Sequence, residues 1–97
     1  MSAFKDLAAD RRYQQHFADA AGAEHSVWAD YAVRGHTRVI LHVEAHPSLR
    51  GTGAAGTFMR ALAEHARAEG YKLEPHCSYA AVWLKRHGVE YADVVAS

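Results

Sequence analysis

Between Ala45 and Phe58 the chain changes its hydrophobic period, and it does so through HPSLRGTGAAGTF, a stretch with three glycines and two alanines. Upstream, TRVILHVEAH is rich in β-branched residues, as a strand requires, and Pro47 ends it. Downstream, Ala55, Phe58, Met59, Leu62 and Ala66 recur at helical spacing, with Arg60, Glu64, Arg67 and Glu69 largely opposite. A strand must therefore stop and a helix start within a few residues. That junction excludes an all-α or all-β chain.

The remaining segments fit around it. Alternation in SVWADYAV places Val27, Ala29, Tyr31 and Val33 on one side of a strand, and RGH supplies a tight turn at Gly35. With an earlier extended segment from about Tyr13 to Phe17, the order predicts three antiparallel strands. The first ten residues are expected to form a short helical turn or an unfixed leader. After the main helix, Gly70 is a natural stop and YKLEP a further strand. Ser78 is placed to cap a second helix beginning near Tyr79, with Tyr79, Val82 and Trp83 inward and Gly88 ending it. DVVA near the end has strand-like content.

At 97 residues, with 49% hydrophobic and 23% charged residues, the chain is long enough for one domain over residues 1–97. Eleven basic residues balance eleven acidic ones, so no nucleic-acid surface is advertised. No apolar run reaches the length of a membrane span and no secretory leader is visible, which makes the cytoplasm the expected location. Cys77 is the only cysteine, which excludes an internal disulfide and a cysteine-rich zinc site. Eight histidines are scattered along the chain, and His42, His46 and His76 lack the spacing of a metal motif, so no metal is expected.

A strand, a turn of small residues and a helix N-terminus make an anion-binding arrangement: backbone N–H groups converge and the helix dipole is favourable. The loop is no Walker motif, since no lysine follows the glycines, and the strands before it are not those of a dinucleotide fold. RGTGAA does fit the [Q/R]-x-x-G-x-[G/A] pattern of the GNAT acetyltransferases, which it resembles. HVEAHPSLRGTG and LEPHCSYAAVWLKRHGVEYADVV are similar to two further motifs of a compact, cysteine-containing GNAT-like subfamily. Ser78 and Tyr79 stand where that subfamily often has Pro and Phe, and HGVEY replaces HPEY.

The resemblance implies an α+β fold with a mostly antiparallel mixed sheet, the main helix after the phosphate-binding turn and a second C-terminal helix. It implies acetyl-CoA as co-substrate, with Arg50, Gly51, Thr52, Gly53, Ala54, Ala55 and Gly56 around its pyrophosphate and Arg50 adding positive charge. Backbone groups near the end of the His42 to Ala45 strand would lie beside the thioester. The implied activity is transfer of the acetyl group to a primary amine of unnamed identity.

Three side chains are catalytic candidates. Cys77, beyond a strand end and before a helix, can accept the acetyl group, lie beside the CoA thiol or serve as packing. His42 and Glu44 share one side of a strand while Leu41 and Val43 take the other; Glu44 can take the amine's proton through water, with His42 orienting it or acting as base. A solvent-facing edge without catalytic duty is the plainer reading. Trp28, Tyr31, Tyr79 and Trp83 are expected to pack in the core or cleft. The alternative function is a CoA-binding or interaction module with little transfer activity, in which a partner or second subunit completes the cleft.

Overall fold

In the computed structural model, which describes residues 3–96, five strands form one sheet in sequence order: β1 (Lys5–Leu7), β2 (Arg12–Ala18), β3 (Glu24–Arg34), β4 (Thr37–Ala45) and β5 (Lys72–Pro75). The first four pair antiparallel. β5 runs parallel to β4, and the crossover this demands is supplied by helix α1 (Ala54–Glu69). Two shorter helices follow, α2 (Ser78–Arg86) and α3 (Gly88–Tyr91), and 3-10 turns lie at Ala8–Asp10, Pro47–Leu49 and Ala92–Val94. The expected mixed, mostly antiparallel α+β sheet is thus the observed one. Among the described residues no helix is long and apolar enough to cross a membrane.

Alternation along the strands builds the core. Tyr13, Phe17, Val27, Ala29, Tyr31 and Ile40 are buried against Phe58, Met59, Leu62 and Ala66 of α1. Phe58 is fully buried, so truncating it to alanine costs about 3–5 kcal/mol. On the opposite side of β2, β3 and the end of β4 stand Arg12, Gln14, Ser26, Trp28, Asp30, His42 and Glu44, none of them buried. One sheet face is therefore core and the other meets solvent.

Several expectations are corrected. The first ten residues hold the anticipated helical turn, but they also hold β1, which pairs Lys5 with Gln14; Met1 and Ser2 lie outside the described residues. Phe4 anchors this edge against Tyr13 and Phe58, with ring centroids 5.4 and 5.5 Å away. In α1 the buried first-turn residue is Ala54, not Ala55, because the helix begins one residue earlier. Val33 is exposed at the end of β3.

In α2 the inward residues are Ala80, Trp83 and Leu84, while Tyr79 and Val82 face solvent. Ser78 is the first helical residue and gives no capping bond; Cys77 holds the cap position. α2 does end just before Gly88, at Arg86, but Gly88 itself opens α3, whose buried Tyr91 returns to α1 and donates its hydroxyl to Glu64 at 2.8 Å. The DVVA segment makes a 3-10 turn and a single parallel bridge from Val95 to Leu73.

Candidate functional site

The loop from β4 to α1 is held by its own residues. His46 Nδ1 accepts the Ser48 N–H at 3.1 Å, and the Thr52 hydroxyl donates to the Leu49 carbonyl at 2.6 Å while accepting the Ala54 N–H at 3.2 Å. Gly51 and Gly53 lie at φ +81° and +80°, a left-handed backbone that costs other residues about 1–2 kcal/mol. The first helical bond runs from Thr57 N–H to the Gly53 carbonyl at 3.1 Å. Among the described residues, the N–H groups of Gly51, Gly53, Ala55 and Gly56 consequently have no protein acceptor, as the first turn of a helix leaves them. Ala54 differs, since Thr52 already satisfies it.

Two concavities flank this loop. On one side a cavity of about 270 Å³ is lined by Gly53, Gly56, Thr57, Arg60, Trp83 and His87. There the Trp83 ring stacks on His87 at 3.9 Å, and its Nε1 lies 3.7 Å from where a Cβ on Gly56 would stand. Trp83 thus faces the helix start as well as the core. On the other side a cavity of about 420 Å³ is lined by Trp28, Glu44, Ala45, His46, Pro47 and Arg50. Arg50 lines this second cavity and is not among the residues lining the first.

The sheet opens between these hollows. β4 pairs with β5 only from Thr37 to Ile40; from Leu41 to Ala45 it has β3 on one side and no strand on the other. The chain leaving β5 turns away here, with the His76 and Cys77 N–H groups both donating to the Ile40 carbonyl, at 2.8 and 3.2 Å. The register with β3 also slips: Tyr31 faces Ile40 but Asp30 faces His42, so Leu41 is an inserted residue. Leu41 is exposed in consequence and does not share the inner face with Val43, contrary to simple alternation.

Below that bulge His42 and Glu44 do share the open face, with His42 Nε2 and Glu44 Oε2 3.8 Å apart and each side chain 53% exposed. Glu44 stands directly across from Trp28, over which the Arg12 guanidinium lies at 5.4 Å. Cys77 is half-buried against the core at the other wall of the opening. No hydrogen bond or ion pair among the described residues joins it to His42 or Glu44.

His42, His46 and His76 have separate partners. His42 meets Glu44, His76 Nε2 lies 2.6 Å from Glu74, and the His46 ring stacks on His25 at 4.0 Å. His25 in turn reaches Asp19 at 2.8 Å, and the Ala23 N–H and His25 together hold the Asp19 carboxyl below its ordinary range. Among the described residues no group of three or more His, Cys, Asp or Glu is placed to hold a metal ion. Sequence reasoning expected Trp28 and Trp83 in the core or cleft without assigning either to a cavity, and it missed His46 as a lining residue. The cross-strand position of Trp28 beside Glu44 was the available signal for one of them.

Comparison with known proteins gives a consistent assignment. Residues 13–94 match the family described as GCN5-related N-acetyl-transferase. Among solved structures, the solution structure of a GCN5-like protein from Staphylococcus aureus superposes with a TM-score of 0.66 at 24% identity, over 98% of this chain and 88% of that one. At that identity the likeness is one of fold. No curated protein matches the sequence significantly.

Proposed function

The chain belongs to the GCN5-related N-acetyltransferase family, and from that premise we propose that it acts in the cytoplasm as one domain, 1–97, moving an acetyl group from acetyl-CoA to a primary amine. The observation that carries the reading is the run of acceptor-free N–H groups at Gly51, Gly53, Ala55 and Gly56 beside a gap in the sheet. These donors fit the pyrophosphate of CoA: they converge at the positive end of a 16-residue helix, and no side chain stands over Gly51 or Gly53. Thr52 and Ala54 set the loop's shape, and Arg50 raises the positive potential from its other flank.

Acetyl-CoA, when bound, supplies an activated acyl carbon. The chain's own groups supply position and proton handling. Leu41 to Ala45 offer strand edge with no partner strand, suited to a pantetheine arm and its thioester. Glu44 receives a proton from the incoming ammonium, directly or through water, with His42 beside it. The amine's lone pair then forms the N–C bond as the C–S bond breaks; the sulfur leaves with the electron pair and takes the nitrogen's surplus proton, giving the amide and the free thiol. Cys77, on the chain that leaves β5 beside Ile40, would neighbour the CoA sulfur or take the acetyl group itself.

Calorimetry with acetyl-CoA and CoA tests the reading. Binding below millimolar concentration supports it; none at that concentration overturns it. Release of free CoA with a panel of amino acids, polyamines and lysine peptides then separates transfer from binding. Turnover no faster than the amine-free background throughout would leave a CoA-binding module.

A further inference from the structure

We propose that the amine acceptor is a small zwitterion, an amino acid or short amino-carboxylate, held in the cavity between Trp28 and Arg50; the inference rests on the transfer reading above. This hollow of about 420 Å³ is at the small end of the ~300–1,000 Å³ typical of small-ligand pockets. It contains one carboxylate, Glu44, and one guanidinium, Arg50, which do not pair with each other. Arg12, Arg34, Arg60 and Arg67 each meet a carboxylate, whereas the Arg50 side chain has no ion pair among the described residues.

Opposite charges held apart in one concavity select a ligand that carries both. An ammonium beside Glu44 satisfies the acid, and a carboxylate beside Arg50 takes a planar, two-pronged donor. A polyamine brings a second positive charge toward Arg50, and a dicarboxylate brings a negative one toward Glu44; each is disfavoured. His46 stands on the Arg50 side. Because its Nδ1 accepts the Ser48 N–H, its ring proton is on Nε2, a further donor for an anion, and the His25 stack fixes the ring. Trp28, Ala45 and Pro47 supply apolar wall for the ligand's carbon skeleton.

The orientation follows from the chain. Glu44 lies within the part of β4 that has no β5 partner, so an amine held there is at the gap where the acyl group arrives, with its carboxylate turned away toward the loop. Arg50 then has direct contact with the acceptor and only a field effect on the donor.

The test measures kcat/KM for free amino acids, their methyl esters, putrescine and a lysine peptide, with acetyl-CoA saturating. Free amino acids are expected to exceed their esters by about tenfold or more, and Arg50→Met to erase that ratio while Arg50→Lys keeps part of it. CoA affinity in Arg50→Met, read by calorimetry, should change far less than that ratio. Preference for putrescine or the lysine peptide, or equal loss for acids and esters in Arg50→Met, would overturn the assignment and leave acetyl transfer standing. Failure of CoA to bind the wild-type protein would instead overturn the transfer reading on which it rests. If CoA binds and no amine is turned over, amino-acid titration of the CoA-bound protein by NMR decides. Saturable shifts at Trp28, Ala45, His46 and Arg50 support the site, and no shift up to about 10 mM removes it.

Discussion

Replacing Gly56 with alanine separates the demands of the fold from those of the ligand, because the two have opposite signs. Gly56 is helical and not among the left-handed glycines, and an added Cβ would meet Trp83 Nε1 at 3.7 Å, an ordinary contact. Alanine is favoured over glycine inside a helix by about 0.8–1.0 kcal/mol; in a first turn we take about half of this. For a domain near 100 residues that corresponds to a rise in Tm of about 2–4 °C. Yet the methyl group projects into the cavity beside the open N–H groups, where the pyrophosphate would approach. Loss of one hydrogen bond to a charged group costs about 1.5–3 kcal/mol, or roughly ten- to a hundredfold in Kd.

Thermal melts of the ligand-free protein and calorimetry with CoA read the two terms separately. Gly53→Ala is the contrasting variant: at φ +80° it forces a left-handed alanine, so both Tm and affinity should fall, with about 1–2 kcal/mol lost in stability. A higher Tm with unchanged affinity in Gly56→Ala would mean that no ligand approaches the first turn. A lower Tm would refute the packing of Trp83 over this position.

Tyr13 is fully buried with no partner for its hydroxyl among the described residues, so Tyr13→Phe should leave stability unchanged or raise it by about 1 kcal/mol in a denaturant titration; a loss above 1 kcal/mol would reveal a bond to that oxygen. Glu44→Gln should lower kcat by about 10²–10⁴ with CoA affinity retained, and an unchanged rate would remove Glu44 as the base. Cys77→Ala tests the covalent role: loss of turnover, together with an acetyl mass on the wild-type thiol that passes to amine, shows an acyl-cysteine, while full activity rules out an obligatory one. Tm should fall as pH drops below about 4, because Asp19 is held low by the Ala23 N–H, Glu74 by His76, Glu90 by Arg60 and Asp93 by Arg67, and their stabilisation disappears on protonation. Burial raises Tyr13, Tyr31 and Tyr91, so a second loss should begin as pH passes about 10, where the unfolded chain's tyrosines ionise first; a Tm independent of pH at both ends would contradict these contacts.

What the sequence disclosed depended on how local its cause was. The meander, the junction at residues 46–58 and helix α1 rest on period and turn chemistry within a few neighbouring residues, and the structure has all three. β1 exists because Phe4 meets Tyr13 and Phe58, contacts across the fold that three residues cannot announce. α2 shows the same limit: Tyr79, Val82 and Trp83 all looked apolar enough to face inward, but only Trp83 meets α1, through the face Gly56 leaves open. The small residues of the anion loop were legible, while the cavity that Arg50 shares with Trp28 and Glu44 was not. The course of that loop follows from the bonds His46 and Thr52 make within it, a matter of backbone geometry rather than residue type.

Leu41 carries no candidate chemistry, yet it sets the parity of everything after it in β4. Ile40, inward, is matched to Tyr31, and the extra residue lets His42 and Glu44 emerge on the opposite face, matched to Asp30 and Trp28. Were the strand regular, the same two side chains would alternate in step with Ile40 and point into the core. A frame of one residue therefore decides whether these polar groups are solvent-facing tools or buried liabilities. It is the bulge at Leu41, rather than the leucine side chain, that keeps both groups on the open face.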